Sequence, residues 1–438
     1  GDASHKDLAQ FKLWYSQSGT PSIRVSENYN SDSGEYNLTL AQQSPITTKQ
    51  VDPQALHIPI KLELIVNDDG NGNSNVQEHM VELTENEQTW TFQGISAKPT
   101  VALLADFSAP IKVNFAQDDD DLLTIISKAK NSFCRWDAGQ KLLMSYISSL
   151  TLTSSFEIPE QFIASFTNIL NSDIDAAFIA EQLVLPSFDE AANLIEQVDP
   201  ISLVNAIKTL TLFMAKGLEK TLLKKLQHCQ AILQDTSTLA ADITANKALK
   251  NICLYYLSSL EQHSVIVEQQ FDNSDNMTDS LAALNCGAKH DLESFTTQMQ
   301  QFERKWQDTP LVMDKWFSLS ASQSNVNIFD HLEKLVEHEL FSLKNPNRAR
   351  SLIAAFAMNN PKHFHDISGK GYQFLADKIA QLNIINPQVA SRLITPLIQF
   401  NNFAQPHKQL MKTQLVLLQN LPDLSNDLKE KLDAALDV

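Results

Sequence analysis

Residues 111–126 read Ile111-Lys-Val-Asn-Phe-Ala-Gln-Asp-Asp-Asp-Asp-Leu-Leu-Thr-Ile-Ile126, and the hydrophobic period changes inside them. On the upstream side apolar residues alternate with polar ones, the period of a strand. On the downstream side four acids, Asp118–Asp121, precede an apolar run. Acids gather at helix starts because they oppose the positive end of the helix dipole. A calcium loop would need a Gly-containing ligand pattern, which is absent. The stretch therefore predicts β structure before it, helix after it, and a boundary at 116/117.

Outward toward the N-terminus, period two recurs from Pro21 to Phe115. Tyr36, Leu38 and Leu40 alternate with polar residues, as do Ile58, Ile60, Leu62, Leu64 and Val66. Trp90 and Phe92 follow the same rule, and Val101-Ala-Leu-Leu adds a further strand. Turn clusters at Asn30-Ser-Asp-Ser-Gly and Asn67-Asp-Asp-Gly-Asn-Gly-Asn separate them. About seven short strands so spaced predict a small antiparallel β-sandwich over 19–116. His57 and His79 lie alone, without a partner at ligand spacing, and read as structural. Residues 1–18 form a short amphipathic segment in which Leu8, Phe11 and Trp14 recur at helical spacing. It is too short to be a domain.

Outward toward the C-terminus, 117–438 reads as helix throughout. Apolar stripes run over Lys141–Leu150, Pro159–Leu170, Ile201–Leu233, Ala245–Leu260, Asp291–Trp306 and Phe329–Leu343. Others cover Arg348–Met358, Tyr372–Leu382, Pro387–Phe400, Lys408–Leu421 and Leu424–Leu436. Short connections favour antiparallel neighbours. So many helical hairpins cannot close as one bundle; they predict a large all-α superhelical array of antiparallel helix pairs with a concave face. No strict sequence period accompanies them.

Composition sets further bounds. The chain has 438 residues, 43% of them hydrophobic, enough for two or three domains with full cores. Its net charge of −18 argues against nucleic acid, whose phosphates need clustered Lys and Arg. No apolar run reaches eighteen residues, so no membrane span is expected, and the opening residues contain no apolar signal core. Four cysteines, Cys134, Cys229, Cys253 and Cys286, form no CxxC pair. They read as reduced, mostly buried thiols of a cytoplasmic protein.

Two stretches carry the candidate binding residues. Asn345–Phe356 and Asn386–Pro396 both open with Asn-Pro and run into apolar-periodic sequence. Asn caps orphan amides, and Pro at the first helical position loses no bond. Arg350 lies inside the first helix and Arg392 inside the second, with Gln388 four residues before Arg392 and so on its face. Two forked cations on adjacent helices are suited to hold a carboxylate. Gln388, Arg392, Thr395 and Gln399 form a polar stripe, and Val389, Leu393 and Leu397 an apolar one. Ala354 and Ala357 leave room beside Arg350. Arg348, two residues away, points elsewhere and reads as paired or solvated. Pro396 should kink its helix.

These words, together with Tyr15–Pro21 (YSQSGTP), Phe133–Ala138 (FCRWDA), Asn276–Leu284 (NMTDSLAAL) and Leu311–Phe317 (LVMDKWF), resemble the C-terminal half of aminopeptidase N of Gram-negative bacteria. That family is of zinc-dependent, gluzincin-type alanyl aminopeptidases. The resemblance implies that 1–18 is the tail of a catalytic domain lying outside this chain. It implies that the helical domain closes over that domain and makes an enclosed chamber for peptides. It also matches Arg350, Gln388 and Arg392 to chamber-facing positions that contact the distal part of the peptide. Trp136, Met313 and Trp316 in the shared words read as core.

The catalytic words of that class are missing here. A His-Glu-x-x-His helix is required for zinc, yet the only His-Glu is His338-Glu339, followed at 342 by Ser. There is no Gly-x-Ser-x-Gly elbow and no phosphate loop. His363 and His365 stand two apart, on opposite sides of a helix. Asn37 and Asn276 match the glycosylation pattern, which matters only in a secretory compartment. No catalytic or metal-binding residue, and no cofactor, is therefore assigned to this chain, which is expected to be inert alone. Zinc is implied for the full-length enzyme only. Its partners would be the remaining domains of the same polypeptide and peptide substrates. The competing reading is a free-standing helical-repeat scaffold that binds a partner on its concave face.

Overall fold

A computed structural model of the protein describes residues 7–48, 50–67, 74–153, 155–235, 237–324 and 327–436. The Gly-rich part of the expected turn after Asn67, and the first six residues, lie outside the described residues. The chain forms two compact units, Gly1–Leu142 and Leu143–Val438.

The first unit contains β1 (Ser22–Asn30), β2 (Glu35–Gln43), β3 (Ile58–Asn67), β4 (Ser74–Leu83), β5 (Glu87–Phe92), β6 (Thr100–Leu103) and β7 (Lys112–Asn114). They make a four-stranded sheet in the order β5-β2-β1-β7 and a three-stranded sheet in the order β4-β3-β6. Alternation puts Ile23, Tyr36, Leu38 and Leu40 of one sheet into a common core with Ile58, Ile60, Leu62 and Leu64 of the other. All eight are fully buried, as expected where two sheets meet face to face. One pairing departs from the antiparallel expectation. β7 runs parallel to β1, with Ile23 opposite Val113, because the chain re-enters this edge after visiting the other sheet. β1 and β4 had no clear signal. β1 turns polar after Val25, and β4 is an edge strand whose residues 75–80 are exposed or half-buried.

Within the described residues 7–18, the helix expected over 1–18 forms one turn, α1 (Leu13–Ser16). Trp14 donates its indole N–H to the His57 carbonyl at 3.0 Å, and Gln10 donates to the carbonyls of Ala55 and Thr84. Leu8 and Phe11 remain about 40% exposed, so the apolar face that would hold a longer helix together has too little to pack against.

The change of period at 116 is where helix begins, but the first unit extends past it to Leu142. In α2 (Asp119–Lys128) Asp118 accepts the Asp121 N–H at 2.9 Å, and the other three acids occupy the first turn. Leu122, Ile125 and Ile126 bury α2 against β6 and β3. Between α2 and α3 (Ser132–Leu152), Lys130 and Asn131 donate backbone N–H groups at 3.0 and 2.9 Å to the carboxylate of Glu63 on β3. Glu63 is 1% exposed, and burial raises its pKa against the pull of those two bonds.

The second unit holds the rest of α3 and then α4 (Glu160–Asn171), α5 (Ala176–Gln182), α6 (Phe188–Leu194), α7 (Pro200–Gln234) and α8 (Ala240–Ser258). These are followed by α9 (Ser264–Asn273), α10 (Met277–His290), α11 (Phe295–Trp306), α12 (Pro310–Ser322) and α13 (Ile328–Val336). Next come α14 (Pro346–Ala349), a π-helical turn (Arg350–Ala354), α15 (Ala355–Asn359) and α16 (Pro361–Phe364). Last are α17 (Lys370–Ile385), α18 (Pro387–Leu393), α19 (Thr395–Ile398), α20 (His407–Gln419) and α21 (Asn426–Leu436). The architecture is the expected β-sandwich followed by a large helical array.

Helix α7 is long and apolar enough to cross a bilayer. One face of it packs into its unit. Leu203, Leu210, Met214, Leu218, Leu222 and Leu226 are buried against neighbours that include α4, α6, α8 and α16. All four cysteines are free and buried. Burial pushes the thiol of Cys134 up to about 12 and those of Cys229 and Cys286 up to about 11, which keeps them protonated and unreactive.

Candidate functional site

Asn345 accepts the N–H groups of Asn347 and Arg348 at 3.0 and 3.3 Å, with Pro346 at the first helical position of α14. Asn386 does the same for Val389 at 3.3 Å, ahead of Pro387. Both Asn-Pro starts therefore behave as the sequence requires. α18 packs on α17 and on the π turn that begins at Arg350, so the two stretches are neighbours in space.

Arg350 is half-buried and opens the π turn. Such turns insert an extra residue into a helix and recur at functional sites. The extra residue also shifts the face: Ala354 stays beside Arg350 at partial exposure, while Ala357 is buried. On α18, Gln388 and Arg392 are exposed one turn apart, and Thr395 continues their stripe. Val389, Leu393 and Leu397 are buried at 3%, 5% and 0%. Among the described residues the side chains of Arg350, Gln388 and Arg392 make no hydrogen bond or ion pair. The apolar run does not continue as one helix to Phe400. It breaks at Ile394 and restarts as α19 with Pro396 in its first turn.

Arg348 is a different kind of residue. It is 4% exposed. Its Nε donates to Asp314 at 2.6 Å, its two terminal nitrogens donate to the carbonyls of Leu340 and Pro310, and its guanidinium lies 4.7 Å from the Phe317 ring centre. Asp314 and Phe317 belong to Leu311–Phe317, so two of the sequence words are halves of one interaction. The word Asn276–Leu284 is explained in the same way. Asn276 caps α10 by accepting the Asp279 N–H at 3.0 Å, and Asp279 receives Lys250 of α8 at 2.8 Å. Trp316 donates to the Met299 carbonyl at 3.2 Å and Met313 is fully buried. Trp136 is half-buried beside Phe133.

Four of the histidines act as structural posts. His57 pairs with Glu82 at 3.2 Å, and His338 with Glu303 at 3.0 Å. His365 belongs to a buried chain that no spacing in the sequence signals. Its Nδ1 lies 2.8 Å from the Tyr372 hydroxyl, which lies 3.0 Å from Nδ1 of His407. Nε2 of His407 lies 3.9 Å from Asp199, the cap of α7. Burial, with the neighbouring His407, pushes His365 down to about 3, so it is neutral at physiological pH. Among the described residues no group of three or more His, Cys, Asp or Glu side chains could hold a metal ion. The implied zinc does not fit these residues.

Comparison with known proteins supplies the context. Residues 19–116 match DUF3458, a domain of unknown function with an Ig-like fold, and residues 119–437 match DUF3458_C, a domain of unknown function made of ARM repeats. Aminopeptidase N of Escherichia coli K12 is 38% identical over 99% of this chain, and that of Caulobacter vibrioides 31% over 99%. The chain spans about half the length of the curated relatives it matches: 51% and 50% of those two. The crystal structure of Legionella pneumophila aminopeptidase A, in complex with aspartic acid, superposes with a TM-score of 0.85 at 25% identity. That match covers all of this chain and 51% of the other.

Proposed function

Because this chain belongs to the family that pairs the Ig-like and ARM-repeat DUF3458 domains and corresponds to the C-terminal part of the aminopeptidases N, we propose that it is the non-catalytic half of a zinc aminopeptidase. That enzyme removes amino-terminal residues from peptides in the cytoplasm. The zinc and the groups that activate it are held outside this chain. The helical unit encloses the catalytic chamber and meets the distal end of the peptide, and the sandwich acts as a spacer.

The observation that supports this reading is a pair of arginines, Arg350 and Arg392, without partners among the described residues and on packed neighbouring elements, with Gln388 one turn from Arg392. A guanidinium offers a planar fork that matches a carboxylate, and a hydrogen bond to a charged group contributes about 1.5–3 kcal/mol. Gln388 supplies a neutral donor and acceptor beside it.

Two measurements test the reading. In the full-length enzyme, Arg392→Ala raises KM for tripeptides by about tenfold and leaves KM for an aminoacyl anilide, which has no carboxylate, nearly unchanged. Equal effects on both substrates would rule out carboxylate capture. The 438-residue chain alone, supplied with zinc, releases no amino acid from the anilide; zinc-dependent turnover would overturn the assignment of all chemistry to residues elsewhere.

A further inference from the structure

A cleft of about 560 Å3 opens in the helical unit between the α4–α5 turn, the C-terminal part of α7 and the start of α8. Its size falls within the range of small-ligand sites. The floor is apolar, built from Ile179, Ile232 and Leu249, of which Ile179 and Leu249 are buried at 1% and 2%. Lys225 of α7 enters this cleft half-buried. Among the described residues it makes no hydrogen bond or ion pair, and an ammonium taken partly out of water without a partner is unfavourable.

Four carboxylates also line the cleft, and they divide into two kinds. Asp175 is engaged as the cap of α5, accepting the Phe178 N–H at 3.0 Å. Asp235 accepts the backbone N–H and the hydroxyl of Ser237 at 2.9 and 2.7 Å. Asp173 and Asp242 accept nothing through their side chains among the described residues. Among the described residues the cleft thus presents one unpaired ammonium, Lys225, and two unpaired, solvent-exposed carboxylates, Asp173 and Asp242, beside an apolar floor.

We propose that this cleft binds a short zwitterionic peptide carrying an apolar side chain, with its carboxylate at Lys225 and its ammonium at Asp173 and Asp242. An anion alone would meet four carboxylates. A cation alone would leave the half-buried Lys225 without a partner, and so would a neutral apolar molecule, while Asp173 and Asp242 stand exposed at the rim. A zwitterion satisfies both signs, and a side chain such as leucine fills the floor. A single amino acid would leave most of the 560 Å3 as water, so two or three residues fit better. This is a second peptide site, on different helices from Arg350 and Arg392, and it does not rest on the function proposed above.

The test is to titrate Ala-Leu-Ala into the 438-residue chain and follow backbone hydrogen exchange. Exchange should slow in 172–179 and 237–249. Lys225→Met should weaken binding tenfold or more and make the peptide acid and its C-terminal amide bind alike. Asp173→Asn combined with Asp242→Asn should abolish the preference for a free over an acetylated amino terminus. Arg392→Ala should leave the protection in these segments unchanged. The proposal is overturned if the two segments show no protection, if protection survives both sets of variants, or if it is lost in Arg392→Ala instead.

Discussion

Asp279→Ala lowers the unfolding free energy of the helical unit by about 3–5 kcal/mol, the cost of leaving one member of a buried ion pair without its partner. Lys250 and Asp279 are 8% and 9% exposed at the side chain and 2.8 Å apart. The surrounding polar groups are committed to the same carboxylate: Asn276 donates at 3.0 Å and Asn251 at 3.3 Å, and Gln270 holds Asn251 in turn. With the carboxylate gone, the Lys250 ammonium stays in the interior uncompensated. Asp279→Asn should cost a similar amount, because it restores hydrogen bonding without the charge. Lys250→Met together with Asp279→Leu should recover most of the loss, since apolar residues of similar volume replace buried pairs well. Urea unfolding of the three variants measures this; a loss below 1 kcal/mol for Asp279→Ala would contradict it.

The same pair sets a pH dependence with a definite sign. Burial pushes the Asp279 carboxyl up, but the hydrogen bond and charge of Lys250, with Asn276 and Asn251, outweigh it and hold the group below its ordinary 3.8. A carboxyl depressed in the folded state contributes stability above its unfolded pKa and loses it as the pH falls through the folded one. The wild-type chain should therefore lose stability below pH 3.8 more steeply than the Lys250→Met, Asp279→Leu variant.

Arg348→Met should destabilise the helical unit by about 3–5 kcal/mol as well. The side chain ties α14 to Asp314 and the Pro310 carbonyl of α12, and to the Leu340 carbonyl in the turn after α13. Removing it leaves Asp314, itself 18% exposed, with no counter-charge and, among the described residues, the Leu340 carbonyl without a donor. The π turn carrying Arg350 starts two residues later, so the loss is not confined to stability. In the aminopeptidase proposed above, Arg348→Met should raise KM for tripeptides at temperatures well below its unfolding midpoint. Arg348→Lys should restore the charge but not the three-way contact, because an ammonium cannot serve three partners in the plane of a guanidinium. A normal melting curve for Arg348→Met would show that α14 is held by packing alone.

These two networks mark what sequence reasoning could and could not see. Arg348 and Asp314 stand in two separately noticed words, and nothing in either spacing shows that one holds the other. Nor does any spacing relate Lys250, inside the apolar stripe Ala245–Leu260, to Asp279 in Asn276–Leu284. In each case about thirty residues and a helical connection intervene, so no helical or strand period relates the partners. The chain from Asp199 through His407 and Tyr372 to His365 is assembled from four separate segments and has no local signature at all.

What the sequence alone determined is everything that depends on neighbours along the chain. The change of hydrophobic period at 116, the acidic start of α2, the two Asn-Pro caps, the break at Pro396 and the absence of a His-Glu-x-x-His helix are local facts. They follow from backbone hydrogen bonding and side-chain spacing over a few residues. Tertiary structure decided the rest. It extended the first unit to Leu142, because Glu63 on a strand completes the amides ahead of α3. It buried Arg348 and left Arg350 and Arg392 without partners among the described residues, because a helix face is buried or open according to what packs on it, and that is settled by segments far away in the chain.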